Sequence, residues 1–476
     1  MDSLAYWPNI SLSTNISIPY IGKMELSGMD TSIYGSFIIL IVLAIWFHYQ
    51  ASKSTTQTLP AQDPHFRKFQ MSFFLVYFIV LFTDWLQGPY LYKLYSQYGF
   101  ESKQIAALYI AGFGSSLLLG TFTGPLADRF GRKKMAIGFC VMFSCCCFSK
   151  LSHNFYILII GRMFGGISRS ILFSTFEAWY VHEHTENHNF QGEWVSLTFS
   201  KVTFFNGILA INAGVISNVF VETFGFGPIA PFMIAIPFLF TAGLVISQTW
   251  GENYGNTKSD ISQSFCEGLY KIFSDDKIFY LGVVQSLFEG NMYLFVYQWT
   301  PILSPSKPPL GIVFSCFMLC MMIGSSIYSI LHAAKYSAGQ LLLLSQVLGT
   351  ISMWICMFST SNDHIYISFL AFLILEVAIG IYFPAIGYLR THIIPEELRA
   401  NIMSWFRVPL NILACGGLIF LHNTYLVGSY HAIFTICTLI LSIALLSNIR
   451  FNKLYKRKLN VLDDNSMFTN VKEETT

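Results

Sequence analysis

Thirteen apolar runs of about 18 residues or more, separated by short polar breaks, limit what this chain can fold into. Each is long enough to cross a hydrocarbon core roughly 30 Å thick, and in lipid every backbone polar group must be satisfied within its own segment, so each run reads as a helix. With 54% hydrophobic and 11% charged residues the 476-residue chain has no soluble alternative of comparable merit. The expectation is an all-α polytopic membrane protein in contact with a lipid bilayer.

Charge placement orients it. Of the 28 Lys and Arg residues, 19 fall in the loops on one side and the C-terminal tail, and five on the other: Lys23, Lys93, Lys103, Lys150 and Lys307. The basic side faces the cytoplasm. That puts the C-terminus inside and the segment 1–31 outside, with Asn9-Ile10-Ser11 and Asn15-Ile16-Ser17 as external glycosylation acceptors at Asn9 and Asn15. Segment 1–31 lacks a basic n-region, so the first run, 32–50, is expected to stay as a helix rather than be removed as a leader. The longest interior break, 249–277, divides the remaining spans into 69–248 and 278–448, followed by a tail, 449–476. Within the break Phe265, Leu269, Ile272 and Phe273 fall on one face, as in a helix lying on the inner membrane surface.

Nine of the ten cysteines lie inside apolar runs, which excludes an external disulfide framework, and the Cys145 to Cys147 cluster lacks His or acidic neighbours at ligand spacing. No metal site and no cofactor is expected. With no basic stripe interleaved with aromatics there is no nucleic-acid reading, and no nucleophile, base and orienter grouping supports an enzyme.

The strongest motif, Gly124-Pro-Leu-Ala-Asp128-Arg129-Phe-Gly131-Arg132-Lys133-Lys134, resembles the loop signature of major facilitator carriers. Gly124 and Gly131 would permit a tight turn and close helix approach, and Asp128, Arg129 and Arg132 would form the cytoplasmic gate. Arg162-Met-Phe-Gly165-Gly166 resembles the second motif of that superfamily. A faint repeat, Phe199-Ser-Lys201-Val with Asn206 against Phe406-Arg407-Val with Asn411, supports two related six-helix halves preceded by one extra transmembrane helix.

Ionisable groups inside apolar spans are expensive and therefore functional candidates. Here they are Arg162, Arg169, Lys201 and Arg407, with Asp84, Glu177, Glu289 and Glu376. Glu177 reads as a structural partner of Lys201 near the inner surface. Trp85 and Trp405 sit beside charges and are candidate cavity walls.

Several longer segments resemble the eukaryotic molybdate-anion transporter family: Asp84-Trp-Leu-Gln-Gly-Pro-Tyr-Leu-Tyr-Lys-Leu-Tyr95, Phe176-Glu-Ala-Trp-Tyr180, Trp250-Gly-Glu-Asn-Tyr254, Trp299-Thr-Pro301, Tyr382-Phe-Pro384 and Trp405-Phe-Arg-Val-Pro409. The resemblance covers about 67 to 448. It implies a monomeric plasma-membrane carrier whose substrate is molybdate or a similar tetrahedral oxyanion. A dianion in a dry cavity needs positive charge and donors, for which Arg162, Lys201 and Arg407 are the candidates. Asp84, Glu289 and Glu376 are candidate proton carriers for coupled uptake. The alternatives are a carrier for an organic solute and a membrane sensor or scaffold that moves nothing.

Overall fold

The computed structural model describes residues 28–54, 63–255, 261–359, 365–395, 398–423 and 430–473; Asn9, Asn15 and most of segment 1–31 lie outside them. Every regular element among the described residues is helical. In chain order the helices are α1 (Gly28–Ser54), α2 (Pro64–Gln87), α3 (Leu91–Gln97), α4 (Ser102–Leu118), α5 (Thr123–Phe130), α6 (Arg132–Ser149), α7 (Phe155–His182) and α8 (Glu193–Asn218). They continue as α9 (Ala230–Thr249), α10 (Ile261–Ser274), α11 (Asp276–Leu303), α12 (Leu310–Ala333), α13 (Ala338–Phe358), α14 (Ile365–Ile393), α15 (Arg399–Asn423) and α16 (Tyr430–Glu473).

Ten helices among the described residues are long and apolar enough to cross a membrane on their own, and α4 with α5 makes an eleventh span bent by 55°. The two remaining expected spans, α6 and α11, are diluted by charge: Arg132, Lys133 and Lys134 open the first, and Asp276, Lys277 and Glu289 lie on the second. Both pack through the bundle like the others. The helices from α2 to α9 pack mainly on one another, as do those from α11 to α16, and the two groups meet along two seams, α8 on α12 and α4 on α15.

α1 covers one of these seams. Its Ala44 packs with Leu319 and Ile323 of α12, while Ile211 of α8 joins the same cluster and His48 stacks on Phe204 of α8 at 4.6 Å. The linker helix α10 forms and docks on α15 and α11, exposing Tyr270 and Phe273. The tail differs from expectation. No Gly or Pro interrupts 449–473, so α16 continues for 44 residues, about 66 Å at 1.5 Å per residue.

Aromatic side chains bridge the two groups at the end expected to face outward. Tyr297 of α11 lies edge-on to Tyr92 and Tyr109, at 5.5 and 5.2 Å, and donates its hydroxyl to the Ser102 carbonyl at 3.0 Å. Nearby, the Gly311 N–H of α12 donates to the Tyr90 hydroxyl. Lys150, counted from the sequence as an external loop charge, is instead fully buried, with its ammonium 5.4 Å from the Tyr95 ring centroid.

Candidate functional site

Each six-helix group carries one ion pair of the same design, a carboxylate on its first helix and an arginine on its fourth. In the first group Arg169 of α7 donates through Nε to Asp84 Oδ1 of α2 at 2.7 Å. In the second, Arg390 of α14 donates to Glu289 Oε1 of α11 at 2.8 Å and through Nε to Gln285 at 3.0 Å, while the Tyr382 hydroxyl donates to the same Glu289 oxygen at 3.0 Å. Arg169 is surrounded by protein yet keeps 36% of its side-chain surface accessible, so it lines an internal space rather than the lipid face. Tyr293 of α11 sits within electrostatic reach of Arg169, Glu289 and Arg407, and its ring stacks on Phe113 of α4 at 4.9 Å. Charges from both groups thus converge on one aromatic side chain.

The three cations proposed from sequence for the oxyanion are not brought together. Arg162 is buried between α4 and α7, donating to the Leu108 carbonyl at 3.2 Å with its guanidinium 5.2 Å from the Tyr109 ring. Gly112 makes room for it, since a Cβ there would lie 2.7 Å from the guanidinium. In this arrangement it packs against α4 and does not face the central charges. Lys201 donates to Gln70 at 2.9 Å on the outer face of α8, and Glu177 accepts from Tyr77 at 3.3 Å, so the expected pairing of these two is replaced by two separate hydrogen bonds. Only Arg407, exposed on α15, remains near the central charges.

Of the candidate carboxyls, Asp84 and Glu289 are ion-paired. Glu376 is buried on α14, with one carboxyl oxygen lacking any partner among the described residues. Trp85 donates to Asn206 of α8 at 2.8 Å and lies 6.0 Å from Phe314 of α12, which places it at the seam between the groups. Trp405 is half-buried on α15. Two arginines carry more here than the sequence reading gave them. Arg169 is only one of the eight intramembrane charges in the sequence, and Arg390 lies in the last turn of α14, next to the basic loop residues of that side.

The loop that carries the Asp128 motif is held by a strap formed by Trp250 to Gly255. Asp128 accepts from Arg132 at 2.8 and 3.1 Å, Arg132 also donates to the Ala178 carbonyl, and Gly255 N–H donates to the Asp128 carbonyl. Glu252 accepts the backbone N–H of Lys133 at 2.8 Å, at the N-terminus of α6. Trp250 stacks on Trp179 with ring centroids 3.7 Å apart, so two of the motifs that carry the resemblance touch each other. Gly131 has φ +104°, and a Cβ there would lie 2.5 Å from the Glu252 carboxyl. Gly124 has open space around it and no such constraint, contrary to the expected close approach, and Arg129 is exposed. Gly131→Ala is expected to destabilise the loop by about 1–2 kcal/mol for the left-handed backbone alone. Surface abundance and melting temperature check this, with partial recovery expected in Gly131→Ala/Glu252→Ala.

Among the described residues no group of three or more His, Cys, Asp or Glu could hold a metal. A family of carriers with 12 transmembrane segments, described as sugar transporters, matches residues 33–370. The fold is similar to that of the nucleoside transporter NupG, with a TM-score of 0.61 at 10% identity over 81% of this chain and 99% of that one. Molybdate-anion transporters of Xenopus tropicalis and Danio rerio are each 42% identical, over 86% and 83% of this chain and 92% and 88% of theirs. The one from Takifugu rubripes is 40% identical over 83% of this chain and 88% of its own. With this likeness along most of its length and the major facilitator arrangement of its helices, the chain is a membrane carrier, not an enzyme, and belongs to the molybdate-anion transporter family.

Proposed function

We propose that this protein takes up molybdate across the plasma membrane as a monomer, by rocking its halves, 69–248 and 278–448, about a central site. The observation that carries the reading is the 40–42% identity to molybdate-anion transporters over more than four-fifths of the chain. The internal charges supply a physical route. Arg169 is the accessible central cation, and Arg407 adds a second near Tyr293. A guanidinium fork suits two oxygens of a tetrahedral dianion.

Energy then constrains coupling. Moving two negative charges inward against about −60 mV costs roughly 2.8 kcal/mol. Two protons carried with the anion cancel that work, and a third lets the potential drive uptake. The ion pairs suggest how proton and anion are linked: a proton taken by Asp84 releases Arg169 to the substrate, and the Glu289 and Arg390 pair offers the same exchange in the second half. Glu376, without a cation partner among the described residues, is the candidate third carrier.

Uptake of labelled molybdate in cells lacking their own system, with sulfate and tungstate as competitors, tests the substrate. Saturable flux blocked by tungstate is expected. Normal surface abundance with no molybdate flux would sink the reading and favour an organic-solute carrier or a scaffold.

A further inference from the structure

A groove of about 920 Å³ runs along the outer face of α2 and α8, with Phe238 of α9 at its far end. It lies away from the central charges, because Asp84 and Tyr77 of α2 point to α7 while Phe74, Phe78 and Phe82 point into the groove. Its walls are almost wholly apolar, and Met71 and Leu75, both more than half exposed, edge it toward the bilayer. At its cytoplasmic end stand Arg67 and Lys201.

These two cations set the ligand. Lys201 uses its ammonium on the neutral Gln70 oxygen, and Gln70 is itself fixed by its amide donating to Thr198 at 2.8 Å. Among the described residues no carboxylate lies within 4 Å of either cation. A cation on a membrane-spanning helix normally has an anionic partner or reaches the interface, and Arg67 stands in the first turn of α2, at the end expected to lie at headgroup level on the cytoplasmic side. From Arg67 to Phe82 the groove extends about 22 Å along the helix, longer than the roughly 15 Å of hydrocarbon in one leaflet. The site therefore has a positive mouth at headgroup level and an aromatic slot one acyl chain long.

We propose that this groove binds an anionic phospholipid of the cytoplasmic leaflet, its phosphate between Arg67 and Lys201 and one acyl chain along Phe74, Phe78 and Phe205. Basic pockets between helices on the cytoplasmic side have the chemistry to select anionic headgroups. A soluble anion would engage the mouth and leave the slot empty, and a zwitterionic lipid would fill the slot but bring a headgroup with no net negative charge to a mouth that already holds two cations. The inference is independent of which substrate is carried.

The test uses full-length protein purified in neutral detergent and incubated with phosphatidylserine or phosphatidylcholine of identical acyl chains, with retained lipid measured by mass spectrometry of the intact protein. Phosphatidylserine is expected to be retained at least about tenfold over phosphatidylcholine, and to raise the melting temperature in a concentration-dependent way. Arg67→Gln/Lys201→Gln is expected to remove that preference, and Leu75→Trp, at the edge of the slot, to reduce retention of phosphatidylserine with the mouth intact. Equal retention of the two lipids by the unaltered protein would overturn the proposal without reference to any variant. So would stabilisation by inorganic phosphate as large as that by phosphatidylserine, which would mean an anion site without a chain. Dimerisation through this face with the groove empty of lipid would overturn it too.

Discussion

Arg169→Gln is expected to cut molybdate uptake by about 30-fold or more, the loss that follows from roughly 2 kcal/mol for truncating one member of a hydrogen-bonded charge pair. Arg169→Lys should recover part of it, since the charge survives but the fork that matches two oxygens does not. Asp84→Asn discriminates among mechanisms. If Asp84 only anchors Arg169, the neutral variant loses uptake like Arg169→Gln. If a proton on Asp84 releases Arg169 to the anion, Asp84→Asn holds the arginine released: molybdate binding should persist and become less dependent on external pH, with Glu289 and Glu376 still titrating, while uptake driven by an imposed pH gradient falls. A pH dependence of binding unchanged in Asp84→Asn would remove Asp84 from the coupling scheme. Uptake by the unaltered protein that ignores a pH gradient would remove the scheme itself.

The second large effect concerns the Glu289 and Arg390 pair, whose side chains are 18% and 21% accessible. Arg390→Met leaves Glu289 with the Tyr382 hydroxyl but no cation. Removing one partner of a buried pair costs about 3–5 kcal/mol, discounted here toward 2 kcal/mol for the partial exposure. At about 2–4 °C per kcal/mol for a large domain, the melting temperature should fall by roughly 5 °C. Glu289→Gln/Arg390→Met should recover more than half of that, because the stranded charge is gone. Strict additivity of the two single changes would mean that the 2.8 Å contact carries no coupling energy. Transport by the double variant is a separate readout, expected to be impaired even where stability returns.

Much of the fold could be read from the sequence because membrane folding imposes a strong period and a strong composition. The apolar runs, the basic bias of one side and the loop signature around Asp128 are local properties, and each has a direct physical meaning. The site was less legible. That Arg162 is a packing residue depends on Gly112, fifty residues away on another helix, leaving room for its guanidinium. That Lys201 lies on the outer, groove-lining face of α8 depends on which face α2 covers, and polar residues such as Thr198, Lys201, Thr203 and Asn206 are spread round α8, so no moment in its sequence marks that face. Arg390 sits in the last turn of α14, where a basic residue reads from sequence as part of the adjoining loop. Arg169 stood in plain view, but its importance comes from the adjacency of α2 and α7, which spacing along one chain does not encode.

The position of α1 makes the molecule unequal toward the bilayer. In the rocking proposed above, clefts open along both seams in turn, and a cleft between helices is a side door through which lipid tails can enter or an amphiphile can leave. Along α8 and α12 that door is narrowed, because α1 packs along α12 and reaches α8 through His48 on Phe204 and through the cluster that Ile211 joins. Along α4 and α15 no described helix does the same. In that scheme the less covered portal lies between α4 and α15, so a bulky amphiphile reaching the central charges from within the membrane is expected to approach there.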